Sequence, residues 1–248
     1  MDEKARGARI DRLVAYLLDG LVPLPGEDFD RVLGGWLAAS SRFLAFAAVH
    51  RDKIRRKLRG ASEPGARGDV RAELETAFLL LADRRIDLAF EAYGSGRRGP
   101  DFTVTFRAAH RFNVEVTRPR PRNGEAGRTA AIVNAVVGKL SQLPAEAPNA
   151  LLVATGLALS ADEIAVTMRG LKMRADRRDE QLFAGRGLSP DEFQGLYRRL
   201  TVVLVANAIG PGAYAWSNPE ARRRLPDGAA AACLACLANA QWATESSP

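Results

Sequence analysis

Two carboxylates on one short segment are the residues of this chain with chemistry most nearly in reach. In GPDFTVTFRAAHRFNVEVTRPRP, residues 99–121, Phe102, Val104 and Phe106 alternate with Thr103 and Thr105, and the beat resumes at Phe112, Val114 and Val116. Period-two alternation is the mark of a half-buried strand, and two such runs joined by a short break read as a β-hairpin. The apolar face belongs to a core. The other face carries Asp101, Thr103, Thr105, Asn113, Glu115 and Thr117. A turn centred on AAH sets Thr103 opposite Glu115 and Asp101 opposite Thr117, so the two acids become diagonal neighbours. Carboxylates that close repel one another unless they are protonated or bridged by a cation. Hard oxygen ligands on a rigid sheet, with water completing the shell, suit Mg²⁺.

Each acid also has a plainer reading. Asp101 follows Gly-Pro and can simply open a strand, since Asp is common in turns. Glu115 lies between Val114 and Val116 in what reads as a central strand. Acids are depleted there, although one facing solvent or an arginine is tolerated.

Several elements must position this hairpin. Residues 1 to 62 read as a helical N-terminal region, with apolar residues at three- and four-residue spacing and the loop VPLPGED between helices. GASEPGARGD reads as a linker. The segment DVRAELETAFLLLADRR predicts a helix with Asp69 as its N-cap. A strand (IDLAFEAY), the loop GSGRRG, and the hairpin follow. EAGRTAAIVNAVVGKLSQL predicts a helix ending before Pro144. NALLVATGL and RRLTVVLVANAI predict strands buried on both faces, separated by a helix starting at SADEIAV. Residues 63–208 therefore read as an α/β core with a mixed central β-sheet flanked by helices. Residues 209–248 read as a C-terminal helical tail packing on that core, with Trp216 against it and Asn218-Pro219 opening a short helix. The tail's apolar helix would either cover the sheet or form a homodimer contact.

Composition limits the partners. The chain has 248 residues, 47% hydrophobic and 26% charged, within the range of globular proteins. No stretch approaches the roughly 20 apolar residues of a membrane span. Charges at MDEKARGARIDRL stand where a signal peptide needs an apolar core, so a cytoplasmic, membrane-free protein is expected. A net charge of +7 suits a polyanion such as nucleic acid, although a GC-rich coding sequence produces the same arginine bias. Cys233 and Cys236 lack the further ligands that a zinc or redox motif needs and read as small helix-packing residues. His50 and His110 are too few for a histidine metal cluster.

With Pro100-Asp101, then Glu115-Val116-Thr117, on this order of elements, the chain resembles the PD-(D/E)xK, or restriction-endonuclease-like, nuclease superfamily. The resemblance spans roughly residues 65–207. It implies a restriction-endonuclease-like core and Mg²⁺- or Mn²⁺-dependent hydrolysis of phosphodiester bonds in nucleic acid, DNA before RNA. Asp101, Glu115 and the Val116 carbonyl would hold the metal. A further acid is implied on the helix before the first strand, where Glu73 and Glu75 are candidates and Glu73, one turn before Ala77, is preferred. The motif lysine is missing: Thr117 stands in its place and Arg118 follows on the other face. The resemblance implies that Lys139, in GKLSQLP on the next helix, takes over the catalytic role. Gln142 would touch substrate or water from the same helix face, and Arg97, Arg98, Arg118 and Thr117 would contact substrate. Loss of the lysine leaves open an inactive nuclease-fold module that binds nucleic acid or a protein. An unrelated α/β protein, with its hairpin acids paired to arginines, is the third reading.

Overall fold

The computed structural model describes residues 3–22, 28–93, 99–120, 125–156, 159–207 and 212–238. Its contacts divide the chain into two compact units, residues 1–84 and 85–248.

The first unit is helical: α1 (Glu3–Leu18), α2 (Phe29–Ala39), α3 (Ser41–Val49), α4 (Arg51–Gly60) and α5 (Pro64–Leu80). Its core collects Leu17, Leu33, Leu37 and Leu58 with an aromatic cluster in which Phe78 stacks on Trp36 and meets Phe43 edge-on. Helix α5 starts at Pro64, five residues before the expected cap at Asp69. Proline at a first helical position costs no hydrogen bond, so most of the apparent linker is helix. The unit boundary thus falls at 84/85, whereas the sequence reading divided the chain at 62/63.

The second unit is an α/β arrangement. Strands β1 (Ile86–Phe90), β2 (Phe102–Phe106) and β3 (His110–Thr117) precede α6 (Glu125–Leu140), β4 (Asn149–Thr155) and α7 (Ala161–Asp176). There follow α8 (Glu180–Ala184), α9 (Pro190–Tyr197), β5 (Leu200–Asn207), β6 (Ala213–Ser217) and α10 (Ala229–Leu237). The six strands lie in the order β1-β2-β3-β4-β5-β6, making a mixed sheet flanked by helices. The β1-β2-β3 meander and the β5-β6 pair are antiparallel, while β3, β4 and β5 are parallel. Strands β4 and β5 are buried throughout, as central parallel strands are.

Sheet order decides where the helices go. Successive parallel strands step one way across the sheet, and right-handed crossovers then place every connecting helix on one face. Side chains of α6, α7, α8 and α9 accordingly share one core with Leu151, Val153, Val203 and Val205. Glu115 pairs with Leu151 and Thr117 with Val153, so the polar face of the hairpin looks toward this helical layer. Helix α10 packs on β5 and β6, with Ala230 and Ala231 lining a cleft shared with Val202. Cys233 is buried on α10 and Cys236 partly so.

Other differences from the sequence reading have local causes. The long helix after Ser160 ends at Asp176, and α8 follows Arg178, which adopts φ 53. Helix α9, not anticipated, is started by a capping box at Ser189 and Glu192. Tyr214 and Trp216 alternate on the sixth strand and pack on the helical-layer core, so residues 213–217 are sheet. Asn218 opens a turn in place of a helix, its amide donating to Tyr197 O and Leu200 O. Among the described residues no single helix is long and apolar enough to cross a membrane; α2 and α3 qualify only as a pair, bent by 116°.

Candidate active site on the β2–β3 hairpin

The hairpin register differs from the one expected. Phe106 pairs with His110, leaving Arg107, Ala108 and Ala109 as the turn, with positive φ at Arg107 and Ala108. Thr103 therefore faces Asn113, and Phe102 faces Val114. The shift is two residues, so every side chain stays on its expected face. Continued by one residue, this register sets Asp101 directly beside Glu115, closer than the diagonal arrangement.

The two acids interlock through the backbone. The Asp101 N–H donates to Glu115 Oε2 at 3.0 Å, and the Val116 N–H donates to Asp101 Oδ2 at 2.9 Å. Val116 faces the β2 edge at a point where the ladder has ended before Pro100, and the Asp101 carboxylate receives its amide instead. Lys139, in the last turn of α6, completes the group: its Nζ lies 2.5 Å from Glu115 Oε1. Side chains lean toward the N-terminus of their own helix. In a helix returning over the sheet, that direction carries the lysine stem toward the later half of β3.

Burial gives this cluster its electrostatics. Glu115 is 0% exposed and Asp101 7%. The Glu115 pKa is raised to about 8, first by loss of water around the carboxylate and second by the Asp101 charge. The Lys139 charge and its hydrogen bond, together with the Asp101 N–H, act in the opposite direction. The Lys139 ammonium thus opposes the crowding of two buried carboxyl groups.

The remaining candidates fall in different places. Thr117 is buried at the end of β3 on the Glu115 face, and Arg118 follows it, half-buried. Gln142 lies past the end of α6, in a turn closed by its N–H to Lys139 O, so it does not occupy the next helical turn. Arg97 and Arg98 lie outside the described residues. Glu73 and Glu75 are both buried on α5 of the first unit, where Lys57 Nζ approaches Glu73 Oε2 at 2.5 Å.

A polar network next to the acids escaped the sequence reading. Asn113, fully buried, donates through Nδ2 to Asn149 Oδ1 at 3.0 Å and to the Tyr93 hydroxyl at 3.2 Å. Its Oδ1 accepts from Thr103 Oγ1 at 3.0 Å. Asn149 in turn places its amide within reach of Pro144 O, Ala147 O and Arg199 O. The available signal was an asparagine two residues before Glu115, on the same face of a buried strand.

Among the described residues, no cluster of three or more His, Cys, Asp or Glu side chains is disposed to hold a metal. The smaller donor set of Asp101, Glu115 and the Val116 carbonyl still fits a hard divalent ion. N–H and C=O of one strand residue point to the same edge, so this carbonyl turns toward Asp101, as its amide does. Two buried carboxylates side by side are also an arrangement whose mutual repulsion a dication offsets.

No protein-family model matches the chain, and neither the curated proteins nor the solved structures contain a significant match to it.

Proposed function

We propose that this protein is a metal-dependent nuclease with a PD-(D/E)xK-like site, hydrolysing phosphodiester bonds of nucleic acid, DNA first. The observation that carries this reading is the convergence of Asp101, Glu115 and Lys139 from a strand start, a mid-strand position and a helix end. The order of β1-β2-β3, α6 and β4, with β4 parallel beside β3, supports a restriction-endonuclease-like core.

In this reading Asp101, Glu115 and the Val116 carbonyl would hold Mg²⁺ or Mn²⁺. Such an ion would supply activation of a water nucleophile and offset charge on the scissile phosphate. Lys139 supplies the cation that Thr117 cannot. Its Nζ engages Glu115 Oε1, and its side chain, 29% exposed, keeps the ammonium charge beside the acid pair, where a scissile phosphate would bind. The hydroxyl of Thr117 stands on the Glu115 face as a neutral donor. Burial beneath α6 keeps the Glu115 carboxylate out of bulk water, which strengthens its interaction with any cation.

The test is cleavage of supercoiled plasmid and circular single-stranded DNA with Mg²⁺ or Mn²⁺. Asp101→Ala and Glu115→Gln are expected to lower the rate by at least about a hundredfold. A wild-type protein that cuts nothing, or variants that cut equally well, overturn the reading. The replacement of the motif lysine by Thr117 favours a second reading, a nuclease-fold module that binds without turnover. Metal-independent nucleic-acid binding by a wild type that does not cut selects it.

A further inference from the structure

Tyr93 follows β1 and is 38% exposed; among the described Phe, Tyr and Trp side chains the others are buried or half-buried. It is nevertheless fixed at both ends. Its hydroxyl accepts from Asn113 Nδ2, itself part of a buried network. Its base rests on Gly99, where an added Cβ would lie 2.8 Å from Tyr93 Cβ and 3.3 Å from Cγ. These two anchors flank the acids. Gly99 lies two residues before Asp101, and Asn113 two residues before Glu115 on the same face, about 7 Å along the strand. An immobilised aromatic ring with open surface has already lost its rotamer freedom, so a ligand that stacks on it incurs little ordering cost.

We propose that Tyr93 is a stacking platform for an unpaired nucleobase at the rim of the acid site, making single-stranded nucleic acid the preferred substrate class. The inference rests on the nuclease-fold reading above. Bases inside a duplex are stacked on both faces and have none to offer, whereas a single strand presents each base to an aromatic ring. Stacking is tolerant of base identity, so the platform selects strand state and leaves sequence unread.

The test is fluorescence anisotropy without divalent cation, using labelled oligothymidylate, oligouridylate and a DNA duplex of the same length. Tyr93→Ala is expected to weaken binding of the single strands about tenfold, with duplex binding unchanged. Tyr93→Phe and Tyr93→Trp keep the ring and are expected to bind like wild type. Loss on the oligothymidylate alone assigns the platform to DNA, and loss on the oligouridylate alone assigns it to RNA. Single-strand binding by Tyr93→Ala that matches wild type overturns the proposal. So does a Tyr93→Phe variant as weak as Tyr93→Ala, because the hydroxyl network would then account for the effect. Plasmid cleavage by the same proteins separates the two claims. Metal-dependent cutting with Tyr93-independent binding retains the nuclease and removes the platform. Tyr93-dependent single-strand binding by a protein that cuts nothing does the reverse.

Discussion

Lys139 Nζ lies 2.5 Å from Glu115 Oε1, although 24 residues and a change from strand to helix separate the two in the chain. The pair forms because α6 returns across the face from which Glu115 projects. A positive charge thus reaches the acid pair from the helical layer, while the position after Val116 holds a threonine.

Removing the ammonium exposes the cost of that arrangement. Lys139→Met leaves Glu115 buried next to Asp101 without the Lys139 ammonium. Breaking one side of a buried pair typically costs about 3 kcal/mol. The full loss is expected at pH 9, and a much smaller one at pH 5, where Glu115 carries a proton. Urea denaturation at both pH values reads the difference; equal losses would show that the pair contributes no pH-dependent stability.

The raised pKa of Glu115 sets the direction of the wild type's own pH dependence. Its folded value, about 8, lies above the unfolded carboxyl value of 4.5. The folded state therefore binds the proton more tightly, and this stabilisation is complete below pH 4.5 and lost as pH rises through 8. Glu115→Gln, neutral at every pH, is expected to lose less stability than wild type between pH 5 and pH 9, by on the order of a few kcal/mol. Parallel stability curves for the two proteins would contradict it.

A divalent cation should reverse the trend. If Asp101 and Glu115 hold Mg²⁺ or Mn²⁺ as proposed, the ion at pH 8 would displace the proton and raise Tm, corresponding to ~1.4 kcal/mol at a free concentration near ten times Kd. The rise is expected to shrink at pH 5.5 and to vanish in Asp101→Asn and Glu115→Gln. Differential scanning fluorimetry measures all of these, and a rise unaffected by both substitutions would place the cation elsewhere.

Gly99 sits where a methyl group meets the root of Tyr93. Gly99→Ala puts its Cβ 2.8 Å from Tyr93 Cβ, an atom that cannot swing away as a flexible tip would. Overpacking of this kind costs about 1–3 kcal/mol. Chemical denaturation should show that loss in Gly99→Ala, and Tyr93→Gly, which removes the opposing Cβ, combined with Gly99→Ala should lose less than the sum of the single changes. Additive losses would mean that the two residues do not press on one another.

Much of this architecture was legible in local pattern. Alternation of Phe102, Val104, Phe106 with Phe112, Val114, Val116 marked both hairpin strands and their buried face, and the apolar runs 150–154 and 202–206 marked the central strands. Period-two patterning reports which side of a strand is buried, and an even register shift leaves that unchanged. The pairing itself depended on which three residues turn, and only the positive φ values at Arg107 and Ala108 resolve that. Helix α5 began early because Pro64 is compatible with a first turn, so composition alone misplaced its start.

By itself the sequence determined that Asp101 and Glu115 share a polar face on adjoining strands, because side-chain direction in a strand follows directly from position. Tertiary structure decided that they touch through each other's backbone amides, that Lys139 reaches Glu115, and that Tyr93 is anchored to Asn113. Those contacts join residues 10 or more apart in the chain, and strand register, crossover handedness and burial set their distances. None of these is a property of a local stretch of residues.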